Sequence, residues 1–311
     1  MSTLRESADE YLQVRRALGF KLYEEGLLLD QFVRFAEQQG ASIITRTLAL
    51  QWATQPKTCG PPQWAKRLGT VGQFARYRSA CDPRTEIPTP DLLPFRYRRK
   101  APYIYREEQI TQLLQAAKRL PSATGLRALT YFTLFGLLAV TGMRVGEAVC
   151  LDRKDVDLQK GMITIRQAKS GKARVIPVHP STQRALEVYA RRRDHIRPTS
   201  SVSRFFLSED DTRLTVNMVQ WTFRRMSHQI GLRGPNDRRG PRIHDLRHTF
   251  VVRTMQSWYR ANMDVERHLP KLSTYLGHGH VSDTYWYLTG TPELLQWAVK
   301  RVDSTKGDLS S

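Results

Sequence analysis

The chain has 311 residues and a formal net charge of +20, with 49 Lys and Arg residues against 29 Asp and Glu residues. Its 40% apolar and 25% charged residues are typical of a folded globular protein and exclude a disordered or collagen-like chain. The basic excess is spread over both halves of the sequence, which favours a polyanionic partner, nucleic acid first and an anionic membrane surface second.

The cysteines and the apolar runs bear on the cellular location. Cys59, Cys81 and Cys150 are too few and too scattered for a disulfide framework or a thiolate metal site. Residues 1–20 lack the apolar stretch of a secretory signal, and the longest apolar run, residues 131–140, is too short to span a bilayer. We therefore expect a cytoplasmic protein without a membrane segment.

The first part of the chain, residues 1–90, is predicted to be a helical domain. Apolar residues recur there at three- and four-residue spacings, as in amphipathic helices. This spacing predicts four helices, over residues 4–18, 23–40, 44–54 and 61–80.

The fourth predicted helix interleaves aromatic and basic residues. Two interpretations remain open for it, an aromatic core face with a solvated basic face, or contact of the basic residues with phosphates. A proline-rich basic linker is predicted to follow over residues 91–104, because prolines there prevent a regular helix. The candidate DNA-binding residues of the helix and the linker are Lys66, Arg67, Arg76, Arg78, Arg98, Arg99 and Lys100.

Residues 105–311 predict a mainly helical domain with a small antiparallel β-sheet, an α+β fold. The sheet is a hairpin of residues 161–169 and 173–178 around a short glycine-containing loop. Predicted helices cover residues 107–120, 123–140, 181–196, 215–231, 245–261 and, at the tail, 292–302.

Two segments of this domain offer isolated basic residues. Arg144 follows a buried helix and a glycine turn, with Glu147 three residues on, a spacing that also suits an ordinary ion pair. The hairpin carries Lys169, Lys172 and Arg174, and an ammonium beside a phosphate can serve as a general acid. Neither segment identifies a site by itself.

The segment IHDLRHTFVVRTM is more unusual. His244 and Arg247 are three residues apart and face the same way on a helix, which suits a phosphate oxyanion. A zinc site could instead pair His244 with His248, but Asp245 stands where zinc hydrolases carry a glutamate. We therefore expect no metal and no other cofactor.

The segment LSTYLGHGHVSDTYWYLTG adds His278, His280, Tyr285 and Tyr287. Guanidinium and imidazole groups can neutralise the pentavalent transition state of a phosphodiester without a metal. A tyrosine is a credible nucleophile there, because a phosphotyrosyl ester conserves the bond energy for rejoining. Together the four segments predict chemistry that cuts and rejoins a nucleic-acid strand.

The ordered set TGMRVGE, AKSGKARVIPV, HDLRHTF and LGHGHVSDTYWY resembles the tyrosine recombinase, or phage integrase, family. The likeness covers residues 105–311, as the catalytic domain, and residues 1–90 are similar to the core-binding domain of the family. With so short an N-terminal part, the chain resembles simple recombinases of the Xer, integron or transposon kind.

The resemblance implies three residues that hold the scissile phosphate. Arg144 and Arg247 correspond to the two arginines that clamp it, and His278 corresponds to the second histidine, which hydrogen-bonds it.

It also implies three residues that handle the nucleophile and its protons. Tyr287 attacks to give a 3′-phosphotyrosyl intermediate, His244 assists proton transfer from it, and Lys169 protonates the leaving 5′ oxygen. Lys172 and Tyr285 are the alternatives for Lys169 and Tyr287.

The implied function is a site-specific DNA recombinase or integrase of a mobile element that needs neither metal nor ATP. The implied partners are double-stranded recombination sites, on two of which the chain acts as a homo-tetramer, and accessory recombinases. The implied location is the nucleoid and not a membrane. The alternatives are a sequence-specific DNA-binding protein without catalysis, a type IB topoisomerase-like relaxase and, more distantly, a zinc nuclease.

Overall fold

The computed structural model describes residues 3–93, 101–166, 173–237, 240–290 and 294. The chain divides into two compact units, Met1–Arg99 and Lys100–Ser311, and each unit has its own hydrophobic core. None of the described helices has both the length and the apolar character that spanning a bilayer requires.

The first unit contains the four helices that the apolar spacing predicts. Thr3 starts the first of them with a capping box, in which its hydroxyl accepts from the Glu6 amide and the Glu6 carboxylate accepts from the Thr3 amide. Pro61 starts the fourth, at a position where a missing N–H costs nothing. The helices are α1 Leu4–Ala17, α2 Tyr23–Gln38, α3 Arg46–Thr54 and α4 Pro61–Arg78.

The second unit is mostly helical with a small antiparallel sheet, which confirms the predicted fold class. The strands lie in the order β1-β2-β3, and Ile163 of the second strand pairs with Ile176 of the third. The strands are β1 Val156–Asp157, β2 Met162–Ile165 and β3 Arg174–Pro177. The helices are α5 Glu107–Lys118, α6 Leu126–Thr141, α7 Val145–Val149, α8 Pro180–Ile196, α9 Val216–Gln229, α10 Asp245–Arg260, α11 Val265–Leu276 and α12 Ser282–Gly290.

Four elements go beyond the prediction: α7, α11, α12 and β1. Helix α7 has only five residues and strand β1 only two, so both are too short for a periodic pattern. α11 carries Pro270 in its interior, a residue that normally marks the end of a helix. In α12 the aromatic residues Tyr285, Trp286 and Tyr287 are consecutive, so the apolar residues do not fall on one helical face.

Two apolar clusters build the core of the second unit. The larger one surrounds α6, whose Leu134, Phe135 and Leu138 are almost fully buried. The smaller one joins α10, α11 and α12 and includes Met255 and Leu269. Because this smaller cluster also holds Tyr287, it fixes the position of the predicted nucleophile. The predicted tail helix, residues 292–302, lies outside the described residues apart from the buried Leu294.

Candidate active site

Arg144 stands at the junction between α6 and α7. It is the N-cap residue of α7, and its backbone N–H donates to Oε2 of Glu147 at 2.9 Å. Its guanidinium Nη1 donates to Oε1 of the same carboxylate at 2.9 Å. The spacing of three residues thus produces the ion pair that the sequence suggests, and the pair holds the Arg144 side chain at the start of the helix.

Glu147 binds a second arginine from the hairpin strand β3. Arg174 donates to both carboxylate oxygens of Glu147, from Nη2 at 2.8 Å and from Nη1 at 3.1 Å, and its Nε donates to the Tyr275 carbonyl at 2.8 Å. Burial alone raises the pKa of Glu147, but the hydrogen bonds from Arg174 and Arg144 outweigh it and bring the pKa below its ordinary value. Glu147 is therefore a buried anion that anchors two cations.

Arg247 lies deeper, on the first turn of α10. Only 3% of the residue is exposed, and its guanidinium donates to the carbonyls of Gly142 at 2.9 Å and Leu276 at 2.8 Å. Burial, followed by the nearby Arg144 guanidinium, lowers the pKa of Arg247 to about 10, so it stays charged at neutral pH. Two of its five N–H donors are occupied by these carbonyls.

The two arginines predicted to clamp the phosphate converge on the end of α11. Arg144 Nη2 donates to the Gly277 carbonyl at 3.3 Å, next to the Leu276 carbonyl that holds Arg247. With Arg174, the described residues of the site include three guanidinium groups, and two of them, Arg144 and Arg174, pair with the carboxylate of Glu147. This excess of positive charge suits an anionic ligand that offers several acceptor oxygens.

Glycine is required at two turns of this site. Gly142 has a φ of +62°, and a Cβ there would lie 2.4 Å from the Phe250 ring. Gly277 has a φ of +67°, and a Cβ there would lie 2.6 Å from Nη1 of Arg174. Both the left-handed backbone and the close neighbours exclude a side chain, so each glycine allows a carbonyl to approach an arginine.

His278 follows directly after the second of these glycines. Its Nδ1 lies 2.7 Å from the hydroxyl of Thr284, which is fully buried on α12. This contact ties the loop of the L-G-H motif to the helix that carries the tyrosine. The ring of His278 is half-buried at the edge of the arginine cluster.

His244 is the N-cap residue of α10, and its ring stands edge-on to that of His248 with 4.8 Å between ring centroids. Although the residue keeps an exposed side, desolvation of its ring, and then the Arg247 guanidinium, lower the pKa of His244 below its ordinary value. At neutral pH its imidazole is therefore uncharged and able to accept a proton.

Tyr287 and Tyr285, the two candidate nucleophiles, occupy different environments on α12. Tyr285 is 43% exposed, whereas Tyr287 is 2% exposed and packs in the smaller apolar cluster. The Tyr287 hydroxyl lies 2.7 Å from Nδ1 of His248. The nearby Tyr287 side chain raises the pKa of Arg247 and so partly offsets the lowering by burial. The tyrosine is therefore close enough to the buried arginine to influence its charge.

The structure thus brings five of the six predicted catalytic residues into the second unit around the ends of α6 and α11 and the first turn of α10. The sixth, Lys169, and its alternative Lys172 lie outside the described residues. So do Arg98, Arg99 and Lys100 of the predicted basic linker.

The structure also bears on the zinc site that would pair His244 with His248. Among the described residues, no group of three or more His, Cys, Asp or Glu side chains converges as metal ligands would. His248 instead contacts the Tyr287 hydroxyl.

Two of the candidate DNA-binding residues on α4 are not on the surface, contrary to the prediction of a basic face. Arg67 is 7% exposed, stacks on the Trp52 ring at 3.7 Å and donates to the Trp52 carbonyl at 2.9 Å. Arg78 is 4% exposed and bonds the hydroxyl of Ser7 and the carbonyl of Thr3. Both arginines face the core because their long side chains satisfy buried acceptors between helices.

The other two candidates on α4 are exposed. Lys66 forms an ion pair with Glu24 of α2, and Arg76 lies in the last turn of the helix. An exposed pair of this kind contributes little to stability. Contact of Lys66 and Arg76 with DNA stays a prediction.

Sequence reasoning missed two contributors to the site. Arg174 appears in the sequence only as one of three basic hairpin residues, and its role as the partner of Glu147 depends on contacts across 27 positions. His248 appears as a metal ligand and not as the partner of Tyr287, 39 positions away. For His248, one signal was available, since it directly follows the motif residue Arg247 on α10.

Several known proteins are similar to this chain in sequence or in fold. The model of the phage integrase family matches residues 104–293 of the chain. A protein of Sinorhizobium fredii named integrase/recombinase y4rB is 49% identical over 307 residues, which cover 97% of this chain and 98% of that protein.

Two solved structures have a similar fold. The XerH site-specific recombinase bound to a palindromic difH substrate has a TM-score of 0.66 at 19% identity, and the match covers 91% of this chain and 79% of that one. The Tn1549 transposon integrase in complex with transposon right end DNA has a TM-score of 0.65 at 16% identity, over 97% of this chain and 100% of that one.

These matches define the class of the protein. The chain belongs to the phage integrase family and is a site-specific DNA recombinase of the tyrosine type. The resemblance that the four sequence motifs carry is thereby confirmed.

Proposed function

We propose that the chain cleaves and rejoins DNA through a 3′-phosphotyrosyl intermediate formed on Tyr287. The observation that carries this proposal is the convergence of Arg144 and Arg247 on the carbonyls of residues 276 and 277, next to the helix of Tyr287. Positive groups fixed in advance stabilise the charge that develops on a phosphorane without reorganising during the reaction.

Each described residue has one task in this reaction. Arg144 and Arg247 bind the non-bridging oxygens of the scissile phosphate, and His278 donates a further hydrogen bond to it. Glu147 keeps Arg144 oriented through the contact at 2.9 Å. His244, held uncharged by its surroundings, assists proton transfer from Tyr287.

The leaving 5′ oxygen receives its proton from Lys169. The energy of the broken phosphodiester is stored in the phosphotyrosyl ester, so the reverse attack by a 5′ hydroxyl needs no ATP. The arginines neutralise the phosphate charge, and we propose that the reaction proceeds without a metal ion.

The assembly and the biological role are part of the same proposal. Residues 1–90 form a core-binding domain, residues 91–104 a basic linker and residues 105–311 a catalytic domain that together bind a duplex site. Four copies act on two sites, with accessory recombinases as further partners, and the substrate belongs to a mobile element. The family resemblance and the similarity to a transposon integrase support this role.

The test is covalent capture on nicked suicide duplexes that tile the DNA surrounding the gene of this protein, in EDTA. We expect a covalent adduct with the wild-type protein and with Tyr285→Phe, and none with Tyr287→Phe. Both variants lose only a hydroxyl, which makes them a matched pair.

Other results redirect the proposal. An adduct that persists in Tyr287→Phe and disappears in Tyr285→Phe makes Tyr285 the nucleophile. Tight DNA binding without any adduct supports a non-catalytic DNA-binding protein, and relaxation of plasmids that lack the captured site supports a topoisomerase-like relaxase. An adduct that forms only when EDTA is replaced by a divalent cation contradicts the metal-free mechanism.

A further inference from the structure

We propose that His248 is the proton acceptor that activates Tyr287, which makes it a seventh catalytic residue. The inference rests on the proposed function, because it assumes that Tyr287 is the nucleophile. The family resemblance assigns no role to this position, and the sequence offers His248 only as a metal ligand.

The contact itself is direct and buried. Nδ1 of His248 lies 2.7 Å from the Tyr287 hydroxyl, a normal length for a hydrogen bond to oxygen. His248 is 7% exposed and Tyr287 is 2% exposed, so bulk water does not readily compete for this proton. In the tautomer that carries its proton on Nε2, the ring accepts the hydroxyl hydrogen at Nδ1.

A carboxylate stands behind the imidazole. Nε2 of His248 lies 3.9 Å from Oδ1 of Asp245, which is 2% exposed and one helical turn earlier on α10. Asp245 is fixed in turn by Arg242, whose backbone N–H donates to it at 2.7 Å and whose Nη2 donates at 2.9 Å. At 3.9 Å the carboxylate is too far for a hydrogen bond to Nε2, so it acts on the imidazole through its charge, and Tyr287, His248 and Asp245 supply a nucleophile, a base and a nearby anion.

Charges of both signs lie near the His248 imidazole. The positive end of the α10 dipole and Arg247, the preceding residue, both disfavour an imidazolium at His248. Asp245 supplies a negative charge on the Nε2 side, and the edge of the His244 ring faces His248 from the helix start. The balance suits a transient proton acceptor that returns its proton when the strand is rejoined.

The step balances as a proton transfer coupled to nucleophilic attack. The O–H bond of Tyr287 breaks, and its proton forms an N–H bond at Nδ1 of His248. The phenolate oxygen then forms a bond to phosphorus while the bond from phosphorus to the 5′ oxygen breaks. That oxygen takes a proton from Lys169, and rejoining reverses every transfer.

The test compares single-turnover cleavage by His248→Asn and by the wild-type protein on the captured suicide duplex. Asparagine can present its amide oxygen near the position of Nδ1 and accept the hydrogen bond, but it cannot take the proton. We expect cleavage to fall by about 10²- to 10⁴-fold, the usual contribution of a general base. His195→Asn, the same change at an exposed position on α8, is the matched control.

A second substrate separates the two proton transfers. A 5′-bridging phosphorothiolate has a sulfur leaving group that departs without protonation, so it restores cleavage by Lys169→Ala. It does not restore cleavage by His248→Asn if the defect lies in the attacking oxygen. If the Asn variant melts well below the wild type, His248→Ala with added imidazole provides the measurement, and we expect saturable rescue.

The outcomes distinguish this inference from the proposed function. No adduct with the wild-type protein contradicts the proposed function itself. An adduct with the wild type and a rate within threefold of it for His248→Asn overturns only the role of His248 as a base. Rescue of His248→Asn by the phosphorothiolate overturns it equally, because the missing group would then act on the leaving oxygen.

Discussion

Replacing Glu147 with glutamine removes the carboxylate that holds both Arg144 and Arg174. The side chain of Arg174 is 9% exposed and that of Glu147 is 4% exposed, so the charge that remains on Arg174 stays buried without its counter-ion. Breaking a buried ion pair by removing one partner costs about 3–5 kcal/mol. The amide still accepts one hydrogen bond, so we expect the lower end, about 3 kcal/mol.

Urea unfolding at 25 °C measures this loss. For a slope of about 2 kcal/mol per M, the midpoint of the second unit moves down by about 1.5 M. Glu187→Gln is the matched control, because its pair with the 77% exposed Arg191 is a surface pair at 3.7 Å. We expect that control to change the free energy of unfolding by no more than about 0.5 kcal/mol.

The pH dependence gives an independent check on the same carboxylate. The pKa of Glu147 in the folded protein lies below its ordinary value of about 4.3, so its contribution is present above that value. The contribution decreases as the pH falls through the folded pKa, and the wild type and Glu147→Gln then converge in stability. A Glu147→Gln midpoint equal to that of Glu187→Gln at pH 7 would refute the assignment of Glu147 as a buried anchor.

Three further results are expected. Gly277→Ala places a Cβ 2.6 Å from Nη1 of Arg174 at a φ of +67°. We therefore expect the free energy of unfolding in denaturant to fall by about 1–3 kcal/mol and DNA cleavage to slow. Unchanged stability would contradict the close approach. Arg67→Ala lowers the melting temperature of the first unit, whereas Arg76→Ala leaves it unchanged and lowers the salt dependence of DNA binding. In ¹⁵N NMR, the His244 ring titrates below the ordinary histidine pKa of about 6.5, and a higher midpoint would be inconsistent with its desolvated position beside Arg247.

Local sequence patterns were sufficient for the long elements of both units. Apolar residues at helical spacing predict α1 to α6 and α8 to α10 because one face of each helix is buried. They fail for α12, where three consecutive aromatic residues leave no single face, although this helix carries Tyr287. The basic residues of α4 show the same limit, since spacing cannot tell a buried Arg67 from an exposed Arg76.

The sequence by itself determined the family of this protein and the identity of its candidate catalytic residues, because the chemistry requires particular side chains in a fixed order along the chain. Only the tertiary structure decided which groups orient them. Glu147 meets Arg174 across 27 positions, and His248 meets Tyr287 across 39, through the packing of separate helices and strands. Such contacts depend on how elements pack together, which the local periodicity of a sequence does not specify.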